Sequence, residues 1–477
     1  MALMPDQKDS LRAALSAALD HALTFRAADA DAPVAAQASH EGLFAKFNLP
    51  LADEGLPSEQ VIRELIHAAE GGISRNTGGR FYGWVMGGST PASLAADWLT
   101  SAWDQNAGAY AVAPAAAVAE EVAGEWLKDI LHLPAEASFA LVTGCQMAHT
   151  TCLAAARWRL MADRNIDVER NGLAGAPQIR IITSKEAHGT ALRAVRLLGL
   201  GTANIHSLPS DENGRLTAEV LTAALADKPD APTIVLLQAG DLNMGAYDDF
   251  ATLIPIAKAH KAWVHVDGAF GLWAAATPRL AHLVAGCNLA DSWATDGHKW
   301  LNVPYDSGFA FVRDREAHRG AFAISTSYVE ASVGRDQLDW TPEWSRRARG
   351  FSAWAVLREL GRNGVAALIE RTCAHSHALV TRIGALDGAE MLWKPQINQG
   401  LVRFLSPKSA AVGADHDAFT DQVVAAINRS GVALFSNANW RGKRVMRVSV
   451  CNWQTSEADV DRVVAGVSEI LATLRSE

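Results

Sequence analysis

Cysteine is scarce. The 477 residues hold five, Cys145, Cys152, Cys287, Cys373 and Cys451, and no CxxC pair occurs among them. That spacing argues against a disulfide framework or a zinc cluster and fits a reducing compartment. Long apolar runs are missing too: the longest charge-free stretch, 137–156, contains Thr, Gly, Gln and His and reads as strand, turn and helix rather than a membrane span. There is no basic surplus. The net charge is −9 and the cations are dispersed, so neither nucleic acid nor an acidic membrane is an expected partner. No GxGxxG follows the first predicted strand, which argues against a nicotinamide-dependent dehydrogenase.

What is present is ordinary globular material, 49% hydrophobic and 20% charged, in a chain long enough for about two to three domains. The N-terminus "MALMPDQKDSLRAALSAALDHA" reads as an amphipathic helix with early acids, not a signal peptide, and a cytoplasmic protein is expected. Helical patterns cover 8–26 and 58–70. The segment "NTGGRFYGWVMGGSTP" (76–91) is too rich in glycine for a helix and reads as a pocket wall or surface loop carrying Phe81, Tyr82 and Trp84.

From about 138 to 313, β-branched runs ("SFALVT", "IRIITS", "TIVLLQA", "AWVHVD", "DSWAT") alternate with Ala-rich helical stretches. That alternation predicts an α/β fold with a mostly parallel sheet, which binds ligands beyond the carboxyl ends of its strands. Residues 343–386 read as two long helices. After 391, "LVRFL", "VALFS" and "VMRVSV" read as strands beside two amphipathic helices, hence a small C-terminal α+β domain. The expected division is a helical segment over 1–90, a large domain over 91–362 and the small domain over 363–477.

Polar residues gather where those strands end. "GCQMAHTTCLAAAR" (144–157) is a Gly turn opening a helix, an anion site by its free N–H groups. His188 follows "IRIITS". Asp267 ends "AWVHVD", where a buried acid needs a cationic partner. "DSWAT" leads into Asp296-Gly297-His298-Lys299. The requirements of pyridoxal phosphate explain all four: a lysine for its aldehyde, a carboxylate for its pyridine nitrogen, a helix start for its phosphate, and a flat ring to lie on its own. Lys299, Asp267, the turn Gly144-Cys145-Gln146 and His188 fill these roles.

At this point the sequence resembles the pyridoxal-phosphate-dependent group II amino-acid decarboxylases of fold type I, which include aromatic amino-acid, histidine and glutamate decarboxylases. "DGHKWLNVPYDSG", "HVDGAFG", "EAHGT" and "TGCQMAHTTCLAAAR" carry the resemblance, which runs from about residue 76 to the C-terminus. It implies an aspartate aminotransferase-like fold with a seven-stranded sheet, and a homodimer whose N-terminal helices cover the partner. It implies Lys299 as the Schiff-base lysine, Asp267 at the pyridine nitrogen, His188 stacked on the ring, Ala269 beneath it and His298 at the phosphate, with Asn243 at the phenolic oxygen. Trp84 and Val85 would line the substrate pocket, with Asn106 and Gly108 supplied by the partner, and Arg447 stands where such folds often hold a substrate carboxylate. No metal is implied.

The departures are specific. The phosphate turn lacks the usual hydroxyl, and Asp296-Gly297 replaces Asn-Pro. A carboxylate beside a phosphate is repulsive, so Asp296 is expected to point away and Thr295 to help. The segment before the Arg346-Arg347 pair lacks a central Tyr; Tyr328, at its start, is the candidate proton donor, with His188 or Lys299 as substitutes. Decarboxylation of an L-amino acid is the expected reaction. Aminotransferase, C–C lyase and decarboxylation-linked oxidative deaminase chemistry use the same residues and stay open. Trp103 and Tyr305 join Phe81, Tyr82 and Trp84 as expected aromatic surfaces near the site.

Overall fold

The computed structural model describes residues 5–324, 334–408 and 410–476. Three helices come first, α1 (Pro5–Ala27), α2 (His40–Phe47) and α3 (Ser58–Ala69), then α4 (Pro91–Trp103) and α5 (Pro114–Ile130). The alternating region follows: β1 (Ser138–Val142), α6 (Cys145–Ala162), α7 (Val168–Asn171), β2 (Arg180–Ser184), α8 (Gly189–Leu197), β3 (Ile205–Leu208), α9 (Ala218–Asp227), β4 (Thr233–Gln238), α10 (Phe250–Ala259), β5 (Trp263–Asp267), β6 (Ser292–Asp296), β7 (Gly308–Val312) and α11 (Arg315–Gly320). The C-terminal part holds α12 (Gly350–Gly384), β8 (Ala389–Trp393), β9 (Gln399–Phe404), α13 (Gly413–Ser430), β10 (Ser436–Trp440), β11 (Lys443–Ser449) and α14 (Glu457–Ser476).

The large sheet has the order β1-β7-β6-β5-β4-β2-β3, with β7 antiparallel to both neighbours and the remaining pairings parallel. Every residue of β1, β2, β4, β5, β6 and β7 is buried. Helices on both faces require that, because a parallel sheet has no wet side. Strand alternation distributes the side chains: Phe139 and Leu141 of β1 enter the core on one face, Ala140 and Val142 that on the other. Local chemistry sets the helix starts. Thr217, Asp249 and Asp314 cap α9, α10 and α11 by accepting from the N–H groups of Val220, Thr252 and Ala317.

The second sheet is antiparallel, ordered β10-β11-β9-β8, and packs α12, α13 and α14 around Phe404, Val423, Val448 and Val463. The two helices expected over 343–386 are present within α12, which starts at Gly350 and is divided by a kink at Gly361, where φ is 59° and the backbone is not helical. "VALFS" is not a strand of this sheet; β10 begins at Ser436. Leu434 instead bridges Phe81, with its N–H on Arg80 O and its carbonyl taking Tyr82 N–H. The glycine-rich segment thus claims that backbone, and Phe81 and Tyr82 are core (5% and 0% exposed) rather than site aromatics. Among the described residues no helix is long and apolar enough to cross a membrane.

Candidate active site

Strands β1, β2, β4, β5 and β6 point the same way, so their carboxyl ends share one edge of the sheet. The turns beyond them deliver the start of α6, His188, Asn243, Asp267 and Lys299 to that edge.

The groups are joined by contacts. Lys299 Nζ lies 2.9 Å from Asp296 Oδ2, and Asp296 Oδ1 accepts the backbone N–H of Cys145 at 2.6 Å. Cys145 Sγ is in turn 4.0 Å from Asp267 Oδ1. Asp267 also accepts the N–H of Ala269 at 3.1 Å and meets His149 Nε2 at 3.4 Å. His298 stacks on Tyr305, centroids 4.3 Å apart, and accepts Ser307 N–H at Nδ1. Its ring presses on the phosphate turn closely enough that a Cβ at Gly144 would sit 2.9 Å from Cε1. Two close approaches hold this edge together: a Cβ at Gly308 would meet the Gly144 backbone, and one at Gly87 would sit 2.0 Å from the Lys299 carbonyl oxygen.

Asp296 therefore does not point away. It turns into the α6 start, because a buried carboxylate (2% exposed) must find donors and the helix N–H and the lysine are at hand. Thr295 gives its hydroxyl to Ala269 O at 3.5 Å and not to the turn.

Burial opposes the charge on Lys299, yet Asp296, followed by Cys145 and Asp267, holds its pKa above the ordinary lysine value. Burial pushes Asp267 up, but His149, His188 and Lys299 outweigh it and the carboxyl stays below its usual range. Burial lowers both His188 and His298, so each is a neutral imidazole at neutral pH. His188 caps α8, its Nδ1 accepting Thr190 N–H, and its surroundings include Asp267 and Lys299.

Gln146, in the first turn of α6, has a buried side-chain amide with neither oxygen nor nitrogen partnered, and Asn243 Oδ1 is likewise buried and unpartnered. The Gln146 amide N–H groups and the free backbone N–H groups of the α6 start fit an anionic group, and the lysine, carboxylate and flat imidazole beside them fit a pyridinium aldehyde. Trp84 stands 64% exposed at a left-handed φ of 57°, its carbonyl held by Arg447 at 2.9 Å. Arg447 Nε is buried without a partner. Val85 packs into the core. Asn106 and Gly108 sit with 344–346: Asn106 Oδ1 accepts from Gly108 N and Arg346 N, both at 3.2 Å. Trp103 packs edge-on against Phe351. Tyr328 lies outside the described residues.

Sequence reasoning missed three groups. His149 and His265 meet behind Asp267, as the next-turn spacing from Cys145 and the alternate position on "WVHVD" would have indicated. Asn302 binds four backbone groups, of Gly88, Trp300, Cys451 and Trp453, and so ties the lysine segment to the glycine-rich loop and the C-terminal domain.

Comparison with known proteins bears on the family of the chain. Residues 41–406 match the model of the pyridoxal-dependent decarboxylase conserved domain. The chain is 27% identical to acidic amino acid decarboxylase GADL1 of Xenopus tropicalis over 81% of its length and 76% of that protein's. It is 25% identical to aromatic-L-amino-acid decarboxylase of Bacillus atrophaeus, over 82% and 80%. Among solved structures, the Oryza sativa TDC bound to PLP and tryptamine superposes with a TM-score of 0.92 at 22% identity, covering 99% of this chain and all of that one.

Proposed function

The chain belongs to the pyridoxal-dependent decarboxylase family and is a pyridoxal-phosphate-dependent amino-acid carboxy-lyase; from that premise we propose that it converts an L-amino acid to its amine and CO2 with Lys299 as the covalent anchor. The observation that carries this is the unbroken line of contacts from Lys299 through Asp296 and Cys145 to Asp267.

When bound, pyridoxal phosphate supplies an electron sink for the bond that loses CO2. The chain's own residues do the rest. Lys299 Nζ would hold the aldehyde carbon, Asp267 would face the pyridine nitrogen as an ionised carboxylate, and the neutral ring of His188 would lie on the cofactor's face. Gln146, His298 and the α6 start would take the phosphate, Asn243 the phenolic oxygen, and Ala269 the space beneath the ring. Holding the scissile bond perpendicular to that ring is an orienting task, assigned to Trp84 and Arg447, while Val85, packed into the core, supports Trp84 from behind. Lys299 Nζ, kept protonated beside Asp296, is placed to return a proton to the α-carbon; Tyr328 and His188 are the other candidates.

The active unit is a homodimer. Leu11, Leu15, Leu19 and Leu23 make an exposed stripe on one face of α1, and Leu19 and Leu23 with Leu94 and Trp98 of α4 border a 380 Å³ groove. Asn106 and Gly108 would then serve the partner's site. The five cysteines, all buried and unpaired, support a reducing, cytoplasmic setting.

The reading is tested by measuring CO2 release from cofactor-loaded protein across a panel of L-amino acids and identifying the amine. Release of CO2 with an equimolar amine is expected. Turnover of an amino acid without CO2 would replace decarboxylation by transamination or lyase chemistry.

A further inference from the structure

Behind Asp267 lies a row of buried polar side chains that the proposed reaction does not use. Asp267 Oδ2 faces His149 Nε2 at 3.4 Å; His149 Nδ1 faces His265 Nε2 at 2.9 Å; His265 Nδ1 faces Ser292 Oγ at 2.9 Å. Trp263 Nε1 closes the row on the same Ser292 Oγ at 2.9 Å. His149, His265 and Ser292 are all 0% exposed. The fold builds the row from neighbouring elements: His149 from α6, Trp263, His265 and Asp267 from β5, and Ser292 from β6, in register with His265.

Donor logic gives the row a direction. The indole N–H can only donate, so Ser292 Oγ accepts from it and can offer its own proton to His265 Nδ1; the direction is set at the other end, where the Asp267 carboxylate can only accept. His265 is a neutral ring, held down to about 3 by burial and then by His149. With Nδ1 accepting, its proton sits on Nε2 and goes to His149 Nδ1. That leaves the His149 proton on Nε2, aimed at Asp267, which as a carboxylate can only accept. Reversing the row would set a lone pair against the carboxylate. Cys145 Sγ, 3.3 Å from the same Nε2, is kept a thiol by burial and by Asp296 and Asp267, so it does not compete as an anion.

We propose that His149 is a positioning residue, fixed in its Nε2–H form by His265 and Ser292, that orients Asp267 and keeps it ionised against the cofactor's pyridine nitrogen. This rests on the assignment of Asp267 to that nitrogen. Asp267 needs the help: the backbone N–H of Ala269 satisfies one carboxylate oxygen, and the polar neighbour of the other is His149 Nε2, 3.4 Å away and also 3.3 Å from Cys145 Sγ. Removing a group that orients a metal-binding side chain typically costs about 10–100-fold, and a loss of that order is expected for the orientation of Asp267.

The test compares two amides at one position. In His149→Gln the side-chain N–H falls where Nε2–H was; in His149→Asn it falls nearer Nδ1, short of Asp267. Cofactor dissociation constants are measured by absorbance titration of the full-length chain with pyridoxal phosphate, and kcat and KM with the preferred amino acid. His149→Gln is expected within about threefold of wild type. His149→Asn is expected to weaken cofactor binding and lower kcat by about tenfold or more, KM unchanged, with an unaltered melting temperature. Equal behaviour of the two variants, whether both like wild type or both impaired, overturns the proposal. Should His149→Asn not fold, His265→Gln (Nε2–H kept) against His265→Leu (lost) makes the same comparison. Asp267→Ala is the control: wild-type binding and turnover there would refute the assignment of Asp267 itself, whatever the histidine variants do.

Discussion

The carboxylate of Asp296 sits 2.9 Å from Nζ of Lys299. The same side chain accepts the first free N–H of α6, so one buried acid addresses both the lysine amine and the start of that helix. Attachment of an aldehyde requires a neutral amine, and a phosphate requires the N–H groups at that start. On the proposed roles of Lys299 and the α6 start, Asp296 would work against cofactor entry on both counts.

Replacing Asp296 with Asn should reverse that balance. The Lys299 amine loses the neighbour that raises its pKa, and each unit of downward shift gives about tenfold more neutral amine at a fixed pH. Cofactor-stripped Asp296→Asn protein is expected to regain the visible band of lysine-bound cofactor about tenfold faster than wild type at pH 8, by stopped-flow absorbance. Slower recovery would mean that Asp296 assists loading.

Two buried histidines, His265 and His318, are each held down to about 3, His265 by burial and then by His149, His318 by burial and then by Arg335. Both stay neutral in the folded chain while the unfolded chain takes up their protons below about pH 6.5. The unfolded state then binds more protons, so stability falls with falling pH, by about 1.4 kcal/mol per unit for each histidine. The urea midpoint should drop steadily from pH 6.5 to 4.5. A flat profile would show that these rings protonate in place.

Gly87 tests how tightly the glycine-rich loop seats the lysine. A methyl group there would fall 2.0 Å from the Lys299 carbonyl oxygen, and a backbone atom cannot swing aside. Gly87→Ala should lower kcat/KM by about tenfold or more while leaving the far-ultraviolet circular dichroism spectrum intact. Full activity would place the loop's role elsewhere.

For the dimer, Leu19→Glu with Leu23→Glu puts charge into the apolar groove between α1 and α4. Sedimentation should show a monomer with little activity. A dimer of wild-type activity would remove this face from the assembly.

The α/β alternation and the placing of Lys299, Asp267 and His188 at the strand ends were legible in the sequence because each rests on a local pattern, a buried strand followed by a polar residue. What escaped depends on contacts across the fold. "VALFS" has the composition of a strand, but which backbone pairs with Leu434 is decided by residues 80–82, some 350 positions away. The direction of Asp296 follows from the donors the packed site offers, where electrostatic reasoning about an absent phosphate gave the opposite answer. His149 and His265 each look like an isolated core histidine until α6 and β5 bring them to 2.9 Å.

Borohydride reduction of the cofactor-loaded protein, followed by proteolysis and mass spectrometry, tests the central claim most directly. The account predicts the pyridoxyl mass on the peptide carrying Lys299, and no labelled peptide from a Lys299→Ala protein. The label on any other lysine, or its persistence in Lys299→Ala, would contradict the assignment of this site.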